Sequence, residues 1–326
     1  MAKKKKVKEQ KKIMDNVKFN EVSNPEWDDF VKICKMTEAE LKSFLKRFLK
    51  CADYEPLEGD GWLYAKGNTP ILLTAHMDTV HAKPVKDYIE FTNSNGNHIL
   101  VSKQGIGGDD RCGIFIIMQL LERGLRPHVL FCEDEESGGV GSNKFLKTET
   151  AKELFKLAYM IELDRKNSHD AVYYDCDNPD FTEYIAKITG YLEGWGSFSD
   201  ISNLAPFAGC AAVNLSCGYY HPHSTEEEVN VEEMYHTIDV VEKLLRGKPP
   251  EFDYIPTRYG IGTSYYGGYY GEWNEESVVL DILYAKPSGE TEEVWAEGWC
   301  EEEAWKNFFF EHPEVCFNDV CDWYVC

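Results

Sequence analysis

Long apolar runs are missing from this 326-residue chain. No stretch strings together the roughly 18 residues that a membrane span needs. Cations are scarce as well: 34 Lys and Arg face 57 Asp and Glu, a net charge of −23. A surface of that sign repels phosphate backbones and anionic lipid, which excludes nucleic acid or membrane as the main ligand. Seven of the first twelve residues are lysine, yet no apolar segment follows them, so a secretory signal is not expected. Framework spacing is absent from the 11 cysteines, and Cys34, Cys51, Cys112, Cys132, Cys176, Cys210 and Cys217 are scattered through apolar or helical stretches. Without an export signal, this usage predicts buried, reduced thiols in a cytoplasmic protein. With 43% hydrophobic and 28% charged residues, the composition is that of a folded chain.

Three regions differ in character. Residues 1–16 form a lysine-rich arm, whose like charges repel and favour a solvated terminus. Residues 17–248 alternate between strand-like and helix-like patterns. Residues 249–326 hold 17 acidic, 3 basic and 18 aromatic residues. No internal repeat is apparent. In the central region, Thr37 and Glu40 form a capping box that starts a helix running to about Cys51. Strands are predicted over 61–65, 71–75, 88–92, 98–102, 128–132, 159–163, 171–174 and 211–215. Asn95-Gly96 is a hairpin signal between the third and fourth of these, 88–92 and 98–102. A buried helix is predicted over 111–123, stopped by Gly124, with further helices over 143–156, 180–189 and 231–246. Alternation of this kind implies a three-layer α/β/α sandwich with a mostly parallel central sheet and a small C-terminal appendage.

Each apolar strand runs into acid-base or metal-binding residues. The series is His76-Met-Asp78, Gly-Gly-Asp109-Asp110-Arg111, Glu133-Asp134-Glu135-Glu136, Asp164-Arg165 and Tyr220-His221-Pro-His223. In a parallel sheet such strand ends converge on one crevice. Several carboxylates gathered there are costly to bury unless cations neutralise them, and divalent metal is the natural remedy. Taken singly, each motif has an ordinary reading as a turn, a cap or a solvated acidic loop. Their common place at strand ends, in this order, is poorly explained by chance.

The motifs HMDTV, GGDDRCG, DEESGGVG, ELD and HPHSTEEEV resemble the zinc-dependent exopeptidases with two co-catalytic metals. That group includes leucyl-type and tetrahedral aminopeptidases, peptidase T and the carboxypeptidase G relatives. The resemblance covers roughly residues 60–245 and implies their phosphorylase/hydrolase-like α/β/α fold. It further implies that His76 and Asp164 hold one metal, that Glu136 and His223 hold the other, and that Asp109 bridges both. Asp78 would orient His76, and Glu135 would be the general base. The bond between Asp109 and Asp110 is often cis in the family. His223 fits the family's spacing to Glu227 and Val229 better than His221 does. His221 and Tyr220 remain candidates for polarising a substrate carbonyl, and Asp200 for a structural role behind the ligands. Only 58 residues separate Asp164 from His223. That leaves room for two strands and one or two helices but not for the dimerisation lid of some relatives, so the chain resembles the lidless aminopeptidase branch.

The resemblance thus implies two divalent ions, zinc or else cobalt or manganese, and hydrolysis of short peptides. An electronegative cleft suits a substrate with a free N-terminal ammonium, which favours an aminopeptidase over a carboxypeptidase. An amidase or deacylase acting on N-acyl amino acids, and a scaffold acting through the C-terminal segment, are the rival readings. Nucleic-acid binding through the lysine arm is disfavoured by the total charge. In the C-terminal segment, 259–270 reads as an aromatic-glycine linker and 291–310 as a helix carrying Trp295, Trp299 and Trp305. Cys300, Cys316, Cys321 and Cys326 lack the two-residue gaps of a zinc ribbon.

Overall fold

The computed structural model describes residues 27–81, 83–257, 278–286, 291–298 and 320–325. The lysine-rich arm, the aromatic-glycine stretch at 259–270 and residues 299–310 lie outside the described residues. The chain divides into two units, Met1–Arg258 and Tyr259–Cys326.

In the first unit, α1 (Asp28–Cys34) and α2 (Glu38–Cys51) precede the strands β1 (Leu57–Gly59), β2 (Trp62–Ala65) and β3 (Thr69–His76). The capping box of α2 forms as expected: Glu40 N–H donates to the Thr37 hydroxyl at 3.3 Å, and Thr37 N–H donates to the Glu40 carboxylate at 2.9 Å. A hairpin, β4 (Ile89–Thr92) and β5 (His98–Val101), leads to the central helix α3 (Gly108–Glu122) and to β6 (Pro127–Cys132). Next come α4 (Val140–Leu146), a 3₁₀ segment (Glu149–Lys156), β7 (Tyr159–Arg165), β8 (Asp170–Val172), α5 (Pro179–Thr189) and β9 (Leu192–Gly194). The unit finishes with α6 (Asp200–Ala208), β10 (Ala212–Ser216), β11 (Tyr219–Tyr220), β12 (Glu228–Asn230) and α7 (Val231–Leu245).

Eight strands form the main sheet in the order β1-β2-β6-β3-β7-β10-β8-β9. The four central strands, β6, β3, β7 and β10, are mutually parallel. Their side chains alternate between two cores. Ile71, Leu73, Val129, Phe131, Ile161 and Val213 face one core, while Leu72, Leu130, Met160 and Ala212 face the other. Burial on both faces is why these strands read as continuous apolar runs. Helix α3 packs on β3 and β7, with α1 and α7 against it, and α4 and α6 pack together with α6 on β7 and β10. The sandwich expected from the sequence is the one observed. A smaller sheet, β11-β12-β5-β4, ties the segment after β10 to the hairpin.

Several local expectations are corrected. The predicted helix over 143–156 breaks in two, because the Thr148 hydroxyl turns back onto the Phe145 carbonyl at 2.7 Å and competes with the helical ladder. Helices α1 and α6 were not anticipated. In α6, despite Pro206, Ile201, Leu204 and Ala205 are buried and hold the helix on the sheet. Cys51 is exposed at the end of α2, whereas the other six cysteines named above are buried, and all seven are free. Residues 249–257 belong with the first unit: Phe252 exchanges backbone hydrogen bonds with Ala158 and Ala211, at 3.0 and 2.8 Å.

In the second unit, β13 (Val278–Ala285), β14 (Thr291–Gly298) and β15 (Val320–Val325) form an antiparallel sheet with β13 central. The helix predicted from Thr291 is therefore a strand as far as Gly298. Pairing along the whole of the β-branched and aliphatic β13 outweighs the helix preference of the Glu and Ala residues. Among the described residues, no helix is long and apolar enough to cross a membrane.

His128 on β6 is enclosed, with its Nδ1 2.6 Å from the Tyr64 hydroxyl, and burial lowers its pKa from 6.5 to about 4. Between those values the unfolded chain binds a proton that the fold refuses, so stability falls as the pH drops from 6.5 towards 4. The expected loss from this residue is about 3 kcal/mol. Urea unfolding across that range checks it: the slope should flatten in His128→Gln relative to the parent protein.

Candidate metal centre

The carboxyl ends of the central strands deliver the site. His76 is the last residue of β3, Asp164 lies near the end of β7, and the loop after β6 carries Glu135 and Glu136. Asp109 and Asp110 open α3 with non-helical backbone angles, and the peptide bond between them is cis. Gly113 allows this helix to lie against the sheet, since a Cβ there would sit 1.8 Å from the Leu163 carbonyl oxygen. His223 projects from the loop between β11 and β12 with a left-handed φ of 60°.

These side chains meet. His76 Nε2 lies 3.0 Å from Asp109 Oδ1 and 3.5 Å from Asp164 Oδ1. His223 Nε2 lies 3.2 Å from Asp109 Oδ2 and 3.0 Å from Glu136 Oε1. The two oxygens of Asp109 therefore face different imidazoles. Two sets of donor atoms gather within 4.8 Å of one another: those of His76, Glu135 and Asp164, and those of His76, Asp109 and Glu136. Glu136 Oε1 is enclosed and accepts no well-aligned hydrogen bond, although His223 Nε2 is close to it. An imidazole and a carboxylate facing one another in poor hydrogen-bond alignment fit a cation held between them. Nitrogen and oxygen donors in this mixture suit a zinc-like divalent ion.

Electrostatics show the same excess of negative charge. Burial works to lower the His76 pKa, but the carboxylates of Asp164, Asp109 and Asp78 outweigh it and hold the ring well above its ordinary value. His223 is raised to about 10 by its contacts with Asp109 and Glu136. Burial also works to raise Asp109, and its two imidazole neighbours lower it nonetheless. Burial, reinforced by neighbouring carboxylates, pushes Asp164 up to about 6 and Glu135 up to about 9. A crowd of carboxyl groups in low dielectric resists full ionisation until positive charge joins it.

Asp78 accepts at 3.2 Å from His76 Nδ1, and from the backbone N–H groups of Glu135 and Glu136 at 3.1 and 3.2 Å. One carboxylate thus orients the imidazole and the whole Glu-Glu loop. Asp110 points away from the donor cluster and accepts from the N–H groups of His76 and Gly113, at 3.1 and 3.0 Å. Asp200 is fully enclosed beside Ser142 and Cys132, and neither of its oxygens accepts a well-aligned hydrogen bond. Two expected candidates are displaced. The Tyr220 hydroxyl donates to Glu233 at 2.6 Å, and His221 is exposed, with its carbonyl accepting from the Ser224 hydroxyl. The tyrosine that reaches the cluster is Tyr219, whose hydroxyl lies 3.2 Å from Asp164 Oδ1. Alternation along β11 puts the two neighbours on opposite faces.

Glu227, Asn214 and Ser199 also support the site. Glu227 accepts from Gly107 N–H and Asp109 N–H at 2.7 and 3.0 Å, and it lies 2.9 Å from His81 Nε2. The Asn214 amide oxygen takes Asp164 N–H at 2.9 Å, and the Ser199 hydroxyl donates to Asp164 Oδ2 at 3.1 Å. In the sequence, Glu227 enters only through its spacing from His223, and nothing there connects Asn214 with Asp164, because the contact joins neighbouring strands of the sheet.

No family model matches the sequence, and neither does any curated protein. Solved structures do match in fold. Aminopeptidase PepT from Bacillus cereus superposes with a TM-score of 0.51 at 15% identity, covering 67% of this chain and 96% of that one. A tripeptidase from Staphylococcus aureus gives 0.53 at 13% identity, with 67% and 96% covered. A TET aminopeptidase from a marine-sediment thaumarchaeon gives 0.53 at 15% identity, with 69% and 98% covered. The chain shares the fold of these peptidases. Between Asp164 and His223 it has four short strands and two helices and no inserted domain.

Adding zinc to metal-stripped protein should raise its unfolding free energy, by about 2.7 kcal/mol once zinc reaches a hundred times its dissociation constant. Asp109→Ala should lose most of that gain in calorimetry. Glu227→Ala leaves two enclosed amides unpaired and should cost about 3 kcal/mol in chemical denaturation.

Proposed function

We propose that this chain is a metal-dependent exopeptidase, an aminopeptidase that releases N-terminal residues from short peptides with the help of two divalent ions, zinc in the first instance. The observation that carries the reading is the arrangement of Asp109, with an imidazole at each oxygen, beside Glu135. His76, Asp109 and Asp164 would hold one ion, and Asp109, Glu136 and His223 the other. When bound, such a pair supplies Lewis acidity, polarising a carbonyl and making water more acidic.

The protein's own groups complete the chemistry. Glu135 is the general base, taking a proton from the attacking water and returning it to the leaving amine. It can do so because Glu136 supplies the donor atom while its neighbour stays free. Asp78 holds both of their backbone N–H groups and so fixes the two carboxylates relative to His76. The Tyr219 hydroxyl, on Asp164, replaces Tyr220 as the tyrosine of the site and keeps that carboxylate aimed inward. An excess of carboxylates around the cleft attracts a substrate ammonium and disfavours a free C-terminal carboxylate. The fold relatives named as an aminopeptidase and a tripeptidase support the same substrate class.

Glu135→Gln is nearly isosteric and should still bind zinc while lowering kcat by about 10² to 10⁴. Turnover near that of the parent protein would exclude Glu135 as the base. A panel of aminoacyl amides, tripeptides and N-acyl amino acids fixes the substrate class. Hydrolysis restricted to the N-acyl compounds would replace the aminopeptidase reading with a deacylase.

A further inference from the structure

Behind the donor cluster lies a cavity of about 190 Å³, bounded by the corner between α1 and α2, the loop after β3 and the loop before α3. None of the six proposed donor and base residues lines it. Its polar wall comes from Thr37, Glu38, Asp78, Thr79, His81, Lys83 and Arg111, with Lys83 exposed and Arg111 enclosed. Arg111 is 4% exposed; one of its terminal nitrogens donates to the Met77 carbonyl, and Nε has no partner. Among the described residues, no carboxylate reaches ion-pair distance from it. Glu38 Oε1 is likewise enclosed without a partner. Burial, with Glu133 and Asp78 nearby, raises the Glu38 pKa to about 6.

The enclosed Arg111 guanidinium and the half-buried Glu38 carboxylate, each with a polar atom that has no partner and not paired with each other, thus share one cavity. Burying the guanidinium in that state is costly. A ligand with a single charge would answer one of them and leave the other. A zwitterion answers both. The rest of the wall includes Met36, Met77, Val85 and Ile106, which suits an aliphatic side chain. The volume is below the roughly 300 Å³ at which drug-sized sites begin, which points to a ligand of amino-acid size.

We propose that this cavity binds a free aliphatic α-amino acid, with its carboxylate on Arg111 and its ammonium on Glu38, at a site separate from the metal centre. The choice of ligand agrees with the peptidase reading, of which such an amino acid is a product, and rests on it only to that extent. An occupant touches Asp78, which orients His76, and Gly107, whose amide is held by the same Glu227 that holds Asp109. The site therefore adjoins the supports of two donor residues.

Isothermal titration of the full chain with L-leucine tests this, using 3-methylbutylamine and 4-methylpentanoate as ligands lacking one charge each. The expected result is saturable binding of one leucine per chain that survives chelation of metal, with each single-charge analogue weaker by about tenfold or more. Glu38→Gln, at the first position of a surface helix, should weaken leucine by a similar factor, and Thr79→Leu should reduce binding by filling the space. Absence of binding overturns the proposal. So does binding unchanged in Glu38→Gln, or binding lost on chelation, which would put leucine on the metals. Leucine binding without any peptidase activity would remove the functional reading and leave this site standing.

Discussion

The structure is organised around the cost of gathering carboxylates in a place where water cannot screen them. Asp78, Asp109, Asp110, Glu135, Glu136, Glu162, Asp164 and Asp200 lie within one end of the sheet and its adjoining loops, with His76 and His223 as the imidazoles in contact with them. The protein divides these groups by the partners it gives them. Asp78, Asp110 and the more distant Glu227 take backbone N–H donors and so become the ties that hold loops. Asp109, Glu136 and Asp164 turn towards the imidazoles, where cations are the natural complement. Charged acceptors satisfied by rigid amides are strong hydrogen bonds, so the geometry persists in spite of the repulsion.

That division depends on the fold. Four parallel strands end at one edge, and α3 begins there, close enough to the sheet that only glycine fits at position 113. The small sheet brings β12 and the His223 loop alongside the hairpin, and Glu227 at the start of that pairing grips the residues before α3. Elements far apart in the chain are thus locked to each other through a carboxylate that accepts from backbone amides and faces the His81 ring. The main sheet, buried on both faces, supplies the stable platform against which this crowding is tolerated.

Much of this was legible in the sequence. Apolar runs of strand length marked the central strands, and the residues immediately after them pointed to the donor cluster, because strand ends in a parallel sheet share an edge. The cap of α2 follows from two residues three positions apart, a purely local interaction. Errors arose where a local signal met a distant partner or a competing hydrogen bond nearby. The stretch from Thr291 looks helical by composition but pairs with β13, and the helix predicted over 143–156 is interrupted where the Thr148 hydroxyl donates to the Phe145 carbonyl.

Residue types at the strand ends pointed by themselves to a converging group of deprotonatable side chains able to hold metal, whereas the choice of individual ligands among them came with the resemblance to the zinc exopeptidases. Only the tertiary structure decided which of two adjacent tyrosines faces Asp164, because β11 alternates its sides and α7 supplies Glu233 to the other. It alone decided that Glu227 secures Asp109, and that Arg111 and Glu38 wall one cavity without pairing. Those relations join residues distant in sequence, and their energies depend on burial and orientation, neither of which a linear pattern contains.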